Sequence, residues 1–241
     1  MAETGHARNA ERFTQLISFV TSYGADYAPS NTKITIPNLQ AKLTASLAGI
    51  DGVSTANAGL KLAVNDRENT FADLRPLTTR VVNSFAASGA PENTVDDAKT
   101  LKRKINGVRA KALPQDDPNT PEDESQGNSV SQRSYTQLTE HLDNLIELLD
   151  NSGIYAPNET ELQLATLQAY STSLKNANTN VINNTTPVSN KRITRDEALY
   201  ADGTGLVDLA LLVKKYVKSL YGADSPQYQQ ISGLKFTTPL R

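Results

Sequence analysis

The chain has 241 residues, with 24 basic against 26 acidic side chains, a net charge of −2, and neither cysteine nor tryptophan. Those counts exclude disulfides, thiolate metal sites and cysteine nucleophiles together, and the near-neutral balance excludes a global field that would attract nucleic acid. With 38% hydrophobic residues but only five Phe and one Met, the cores must be thin and built from Leu, Val, Ile and Tyr.

Taken in order, Met1 to Asn9 is polar and lacks the apolar core of a secretory signal, which predicts a cytoplasmic protein. Phe13, Leu16, Ile17 and Val20 fall at i, i+3, i+4 and i+7, the stripe of an amphipathic helix, and Gly24 ends it. Tyr27-Ala28-Pro29 marks a loop, because proline disfavours the helical conformation in the residue before it. Lys33-Ile34-Thr35-Ile36 is the best strand candidate, too short to found a sheet. Leu39, Leu43, Leu47 and Ile50 predict a second helix, with Asp51-Gly52 as its breaker. Glu68, Phe71, Leu77, Val81, Val82 and Phe85 predict a third, interrupted after Phe71-Ala72-Asp73 by Pro76. A fourth begins near Pro91. The basic residues Lys99, Lys102, Arg103, Lys104, Arg109 and Lys111 read as a solvated face near a helix C-terminus, where cations oppose the macrodipole.

Residues 113–132, with three prolines and many acids, read as a linker. The pattern then starts again. Leu138, Leu142, Leu145, Ile146 and Leu149 form a helical stripe closed by Asn151-Ser152-Gly153, followed by a Tyr155-Ala156-Pro157 loop and a helix carrying Leu167, Tyr170 and Leu174. Asn183 to Pro187 supplies breaker residues. The next segment carries Glu197 and Tyr200, is interrupted by Gly203 and Gly205, and resumes as Leu206 to Val213, apolar on nearly every face and so expected to be the most buried helix. Asp73 and Asp202 stand where they would cap the resumed helices, and Ser225 before Pro226 predicts the start of a last short helix.

The two halves match in order. Phe13-Thr14-Gln15-Leu16 returns as Tyr135-Thr136-Gln137-Leu138, Tyr27-Ala28-Pro29 as Tyr155-Ala156-Pro157, and Glu68 with Phe71-Ala72-Asp73 as Glu197 with Tyr200-Ala201-Asp202. The offset between copies grows along the chain, as insertions would make it, which points to a tandem duplication. The expected architecture is all-α: a first helical repeat in 1–112, the linker in 113–132 and a second repeat in 133–241, giving two bundles of about four helices or one eight-helix bundle.

The chemistry is sparse. His6 and His141 are the only histidines, too few for a familiar zinc or iron site, and Glu140, Asp143 and Glu147 read as a solvated acidic face. No metal, cofactor or catalytic residue is expected. Gly203-Thr204-Gly205 lacks the strand that a nucleotide-binding fingerprint requires, so it reads as a helix break. The recurrent polar element is Glu68 with Asp73, matched by Glu197 with Asp202, with Arg67 or Arg195 close by. A broken helix exposes free amides and carbonyls, so each break is a candidate ligand site, weighed against a purely structural pairing and capping role. Tyr23, Tyr27, Tyr155, Tyr221 and Tyr228, near loop ends, are candidate interface anchors because tyrosine is favoured at interfaces; the competing role is to close the ends of a bundle.

Thr204-Gly205-Leu206-Val207-Asp208-Leu209-Ala210-Leu211-Leu212-Val213-Lys214-Lys215-Tyr216-Val217-Lys218-Ser219, running into Tyr221-Gly222-Ala223-Asp224-Ser225-Pro226, resembles the C-terminal signature of a bacterial family of duplicated helical hypothetical proteins. The opening Glu3-Thr4-Gly5-His6-Ala7-Arg8-Asn9 is similar to that family too. The resemblance implies a stand-alone bacterial protein and assigns no activity. The expected function is that of a non-enzymatic structural or scaffolding protein that self-assembles or bridges another protein, without nucleic acid or a membrane span. The alternative is a small-molecule or peptide binding module with a site at the helix break in each repeat.

Overall fold

A computed structural model describes residues 3–108 and 134–238, and the expected linker at 113–132 lies outside them. The described residues are helical apart from connecting loops, with no strand among them. In order along the sequence the helices are α1 (Glu3–Ser22), α2 (Ile36–Ala72), α3 (Leu74–Ala87), α4 (Glu92–Asn106), α5 (Tyr135–Asn151), α6 (Leu164–Tyr200), α7 (Leu206–Tyr221) and α8 (Pro226–Ser232). The strand candidate at Lys33 is instead part of a 3-10 turn, Thr32–Ile34, leading into α2. No helix among the described residues is long and apolar enough to cross a membrane.

The second and third predicted helices of each half need correction. Asp51-Gly52 does not stop α2, nor do Asn183 to Pro187 stop α6, and both helices run for 37 residues. Packing overrides the local penalty. In α2, a Cβ on Gly49 would stand 3.1 Å from the Cα of Arg195, one on Gly52 3.3 Å from the Lys191 side chain, and one on Gly59 3.3 Å from Asn184 Oδ1. Residues 49–59 and 184–195 therefore run antiparallel at close quarters, and the glycines that weaken α2 in isolation are what let α6 approach it.

The protein divides into two compact units, Met1–Lys61 with Asn184–Arg241, and Leu62–Asn183. This division cuts across the repeats at 1–112 and 133–241. The first unit joins α1, α7 and α8 around Phe13, Leu16, Val20, Leu199, Leu206, Val213, Val217 and Ile231. The second joins α3, α4 and α5 around Leu74, Val81, Phe85, Ile105, Leu142, Leu145 and Leu149. The predicted stripes of α1 and α5 supply these cores, with Leu138 half-buried. Leu206 to Val213 is less enclosed than its composition predicts, since Leu211 is 46% exposed.

Helix ends follow elementary capping. Ser134 and Gln137 form a reciprocal capping box on α5, and Ser225 accepts from the Tyr228 amide at the start of α8. At the end of α4, Gly107 adopts the left-handed conformation (φ 70°), so that its amide and that of Val108 reach back to Lys104 and Arg103. Arg103 and Lys104 occupy the last turn of α4, as predicted, and Lys99 pairs with Asp96 at 2.8 Å; Arg109 and Lys111 lie outside the described residues. Asp73 stands at the N-cap position of α3 but its carboxylate accepts no capping bond, and the N-cap of α7 is Gly205 rather than Asp202, so neither predicted aspartate cap forms.

Tyr27 and Tyr155 are buried rather than exposed, each donating its hydroxyl seven residues on, to the carbonyl of Ile34 at 2.7 Å and of Leu162 at 2.9 Å. They pin the two loops that lead into the long helices. Tyr23, Tyr221 and Tyr228 are half-buried. Tyr23 meets Tyr221 edge to face at 5.5 Å and donates to Gln227 O at 2.9 Å, while Lys218 Nζ lies 5.7 Å above the Tyr228 ring.

Candidate functional site

Both breaks expected from the sequence exist, one between α2 and α3 at Asp73 and one between α6 and α7 at 201–205. They are built differently.

At the first, α2 ends on the buried Phe71 and the exposed Ala72, and α3 restarts at the buried Leu74. Breaking the helix frees carbonyls in its last turn. One of them, Thr70 O, accepts from the Tyr170 hydroxyl of α6 at 2.8 Å. Burial, reinforced by the Asp73 charge, pushes the Tyr170 phenol up to about 12, so it stays a donor at any physiological pH. Tyr135, the first residue of α5, packs edge-on to Phe71 with ring centroids 4.7 Å apart, and the Arg67 guanidinium lies 3.9 Å over its ring. Such a stacked cation holds an aromatic ring in place as well as interacting with its face.

Beside this arrangement is an open cleft of about 390 Å³, lined by Glu68, Phe71, Ala72, Leu74, Arg75, Ile105, Tyr135 and Leu138. Its floor is aliphatic and aromatic, while Glu68 and Arg75, both exposed, put one acid and one base at the rim. The volume lies in the roughly 300–1,000 Å³ range of ligand sites. Of the four acids that stand out in the sequence, only Glu68 lines it. Asp73 is exposed at the break itself, and Arg75, Tyr135 and Leu138 carry no sequence signal as ligand contacts.

The second break is closed by the protein itself. Glu197 and Asp202 are exposed. Gly203 takes the left-handed conformation (φ 65°) and its amide donates to Asp208 Oδ2 at 2.7 Å, a bond that fastens the turn to the first turn of α7 without capping the helix. Tyr200, which matches Phe71 in the sequence pattern of the two halves, points its hydroxyl at His6 Nδ1 (2.7 Å) and receives an Asn9 Nδ2 bond at 3.3 Å. His6 and Asn9 are buried, on the turns of α1 that precede Phe13. Asn9 also donates to Thr237 O at 2.7 Å and accepts from Thr237 N at 3.1 Å, Arg12 bonds Lys235 O, and Lys214 Nζ donates to Ser232 O at 3.0 Å and to Leu234 O. The segment after α8 is thereby strapped down, with Leu234 and Phe236 against the core. Arg195 is buried and pairs with Asp196 at 2.8 Å.

The acidic face of α5 is engaged in structure. Asp143 accepts from Ser171 Oγ at 2.5 Å and pairs with Lys175 at 2.7 Å, while Glu140 and Glu147 are exposed. No family profile, curated protein or solved structure matches the sequence.

Proposed function

We propose that this protein works by binding, without catalysis, and that the cleft at the α2–α3 break is its site. The supporting observation is the cleft itself: an apolar floor of Phe71, Leu74, Ile105 and Leu138 beneath a rim that carries a single acid, Glu68, and a single base, Arg75. That combination suits an amphipathic ligand with both a donor and an acceptor, the apolar part supplying affinity and the polar pair orientation. The test uses anilinonaphthalene sulfonate, whose rings fit an apolar floor and whose sulfonate complements Arg75. Saturable fluorescence enhancement is expected with the intact protein. Ala72→Trp, which fills the cleft from an exposed lining position, is expected to weaken it about tenfold, the loss of roughly 1.4 kcal/mol. Arg75→Gln should weaken it and Glu68→Gln leave it unchanged or tighter. Enhancement indifferent to Ala72→Trp would remove this site.

A second reading, a self-assembling scaffold, is favoured by Leu62, Ile193 and Ile182, large apolar side chains left 69%, 63% and 66% exposed on α2 and α6. Such residues singly need no explanation, and three on two long helices are a modest argument for a partner copy. The tyrosine anchors expected from sequence support it less, since Tyr27 and Tyr155 are consumed in the fold. Mass measured by light scattering across concentration decides it: growth that Leu62→Glu or Ile182→Glu abolishes supports assembly, and a strict monomer removes it.

A further inference from the structure

We infer that the cleft at the α2–α3 break takes an extended segment of another protein, with an aliphatic residue and an aromatic residue two positions apart. The inference rests on the cleft reading above and adds the class of ligand.

The argument comes from what sits at the other break. There, the protein lays its own non-helical segment, residues 234–238, beside the turns of α1 that precede Phe13. Leu234 and Phe236, two apart, pack on the core that includes Ile231 at the end of α8, and the Lys214 ammonium lies 5.7 Å from the Phe236 ring. The backbone of that segment is read by one residue whose side chain offers both an acceptor and a donor, Asn9, to the N–H and C=O of Thr237. The cleft repeats these requirements with other residues. Ile105 at the end of α4 stands as Ile231 does at the end of α8, Phe71 takes the place of Tyr200, and α5 begins at Tyr135, the counterpart of Phe13. Glu68 is an acceptor for a main-chain N–H, and Arg75 a donor for a backbone C=O. An extended peptide needs that pair, since its backbone groups must be satisfied when water is displaced. The apolar floor receives the two alternate side chains that an extended strand presents on one face.

A separate partner fits better than a second copy of this protein. The C-terminal segment is already held by Asn9, Arg12 and Lys214, and those intramolecular bonds would have to break before it could serve another molecule.

The probe is a fluorescently labelled peptide with the sequence of residues 232–238, Ser-Gly-Leu-Lys-Phe-Thr-Thr, titrated into the full-length protein with anisotropy as the readout. Saturable binding is expected, weakened about tenfold by Ala72→Trp and by replacing the peptide's phenylalanine with alanine, and several-fold by Glu68→Gln combined with Arg75→Gln. Thermal unfolding of each variant confirms that the fold persists. Binding lost through Asn9→Ala and unaffected by Ala72→Trp would place the peptide at the protein's own tail site and overturn the inference, as would absence of binding. Concentration-dependent dimers that disappear when residues 234–241 are deleted would assign the cleft to a second copy and overturn it too. If the sulfonate probe responds to Ala72→Trp while the peptide fails to bind, the cleft stands as a site and only the ligand class falls; if neither responds, both fall.

Discussion

Gly205→Ala is expected to destabilise the protein by about 3 kcal/mol, the upper part of the overpacking range. The backbone conformation at this position is ordinary, with φ −67°, so an alanine is not excluded by its own dihedrals. Space excludes it. A Cβ there would stand 2.6 Å from Ala201 N and 2.8 Å from both Ala201 O and Tyr200 C, all backbone atoms held by the Gly205 N–H bond to Ala201 O. Relief requires the whole 201–205 turn to open, and with it the hydroxyl of Tyr200 moves away from His6 and Asn9. Gly203→Ala is the control. It has nothing within 4 Å of its Cβ but a φ of 65°, so it should lose only about 1–2 kcal/mol through left-handed strain. Thermal unfolding measures both: for a protein this size the first should lower the midpoint by about 6–12 °C and the second by about 2–8 °C. A Gly203→Ala penalty exceeding that of Gly205→Ala would show that conformation, not crowding, governs this break.

His141→Leu is expected to do the opposite and stabilise the protein by about 1–2 kcal/mol at neutral pH. His141 sits in α5 at 7% exposure, and both its ring nitrogens are buried without a hydrogen-bond partner among the described residues. A neutral imidazole always carries one donor and one acceptor, so burial leaves both unsatisfied, and an apolar side chain of similar size removes that cost. The same surroundings give a pH signature. Burial, helped by the Lys104 charge from α4 and opposed by Glu140 on its own helix, holds the imidazole below its ordinary value near 6.5. The unfolded protein therefore takes up this proton first. Proton linkage at His141 therefore costs the fold nothing above about pH 6.5, and stability declines as pH falls from there toward the lowered folded value. Urea unfolding at pH 8 and pH 5.5 should show the intact protein losing more stability on acidification than the leucine variant. Equal losses would mean that His141 is satisfied and titrates normally.

The features legible from sequence are those that a few residues dictate locally. The stripes of α1 and α5 need only 3.6-residue periodicity, and both helix breaks announce themselves through Pro76, Gly203 and Gly205. What escapes is whatever depends on a distant neighbour. Nothing near Asp51-Gly52 indicates that Lys191 and Arg195 lie against that face of α2, so a local rule ends a helix that packing continues. Tyr27 and Tyr155 look like surface residues beside prolines until the carbonyls of Ile34 and Leu162 arrive to receive their hydroxyls. Glu68 stands out in the sequence because it recurs as Glu197, whereas Arg75 and Leu138 join it in lining the cleft only once α3 and α5 converge. The same repeat misleads at Asp202: α7 starts from Gly205 with no side-chain capping bond, and the acid that engages the turn is Asp208, through the Gly203 amide.

The two compact units also impose an order on synthesis. The unit made of Leu62–Asn183 is contiguous and has all its residues once translation reaches Asn183, while the other needs Met1–Lys61 together with Asn184–Arg241. The apolar stripe of α1, Phe13, Leu16, Ile17 and Val20, therefore leaves the ribosome long before Leu206, Val213 and Val217, the residues that cover it. At 5–20 residues per second that interval is on the order of ten to forty seconds. During it α1 is an amphipathic segment without its native partner, the kind of nascent surface that chaperones bind.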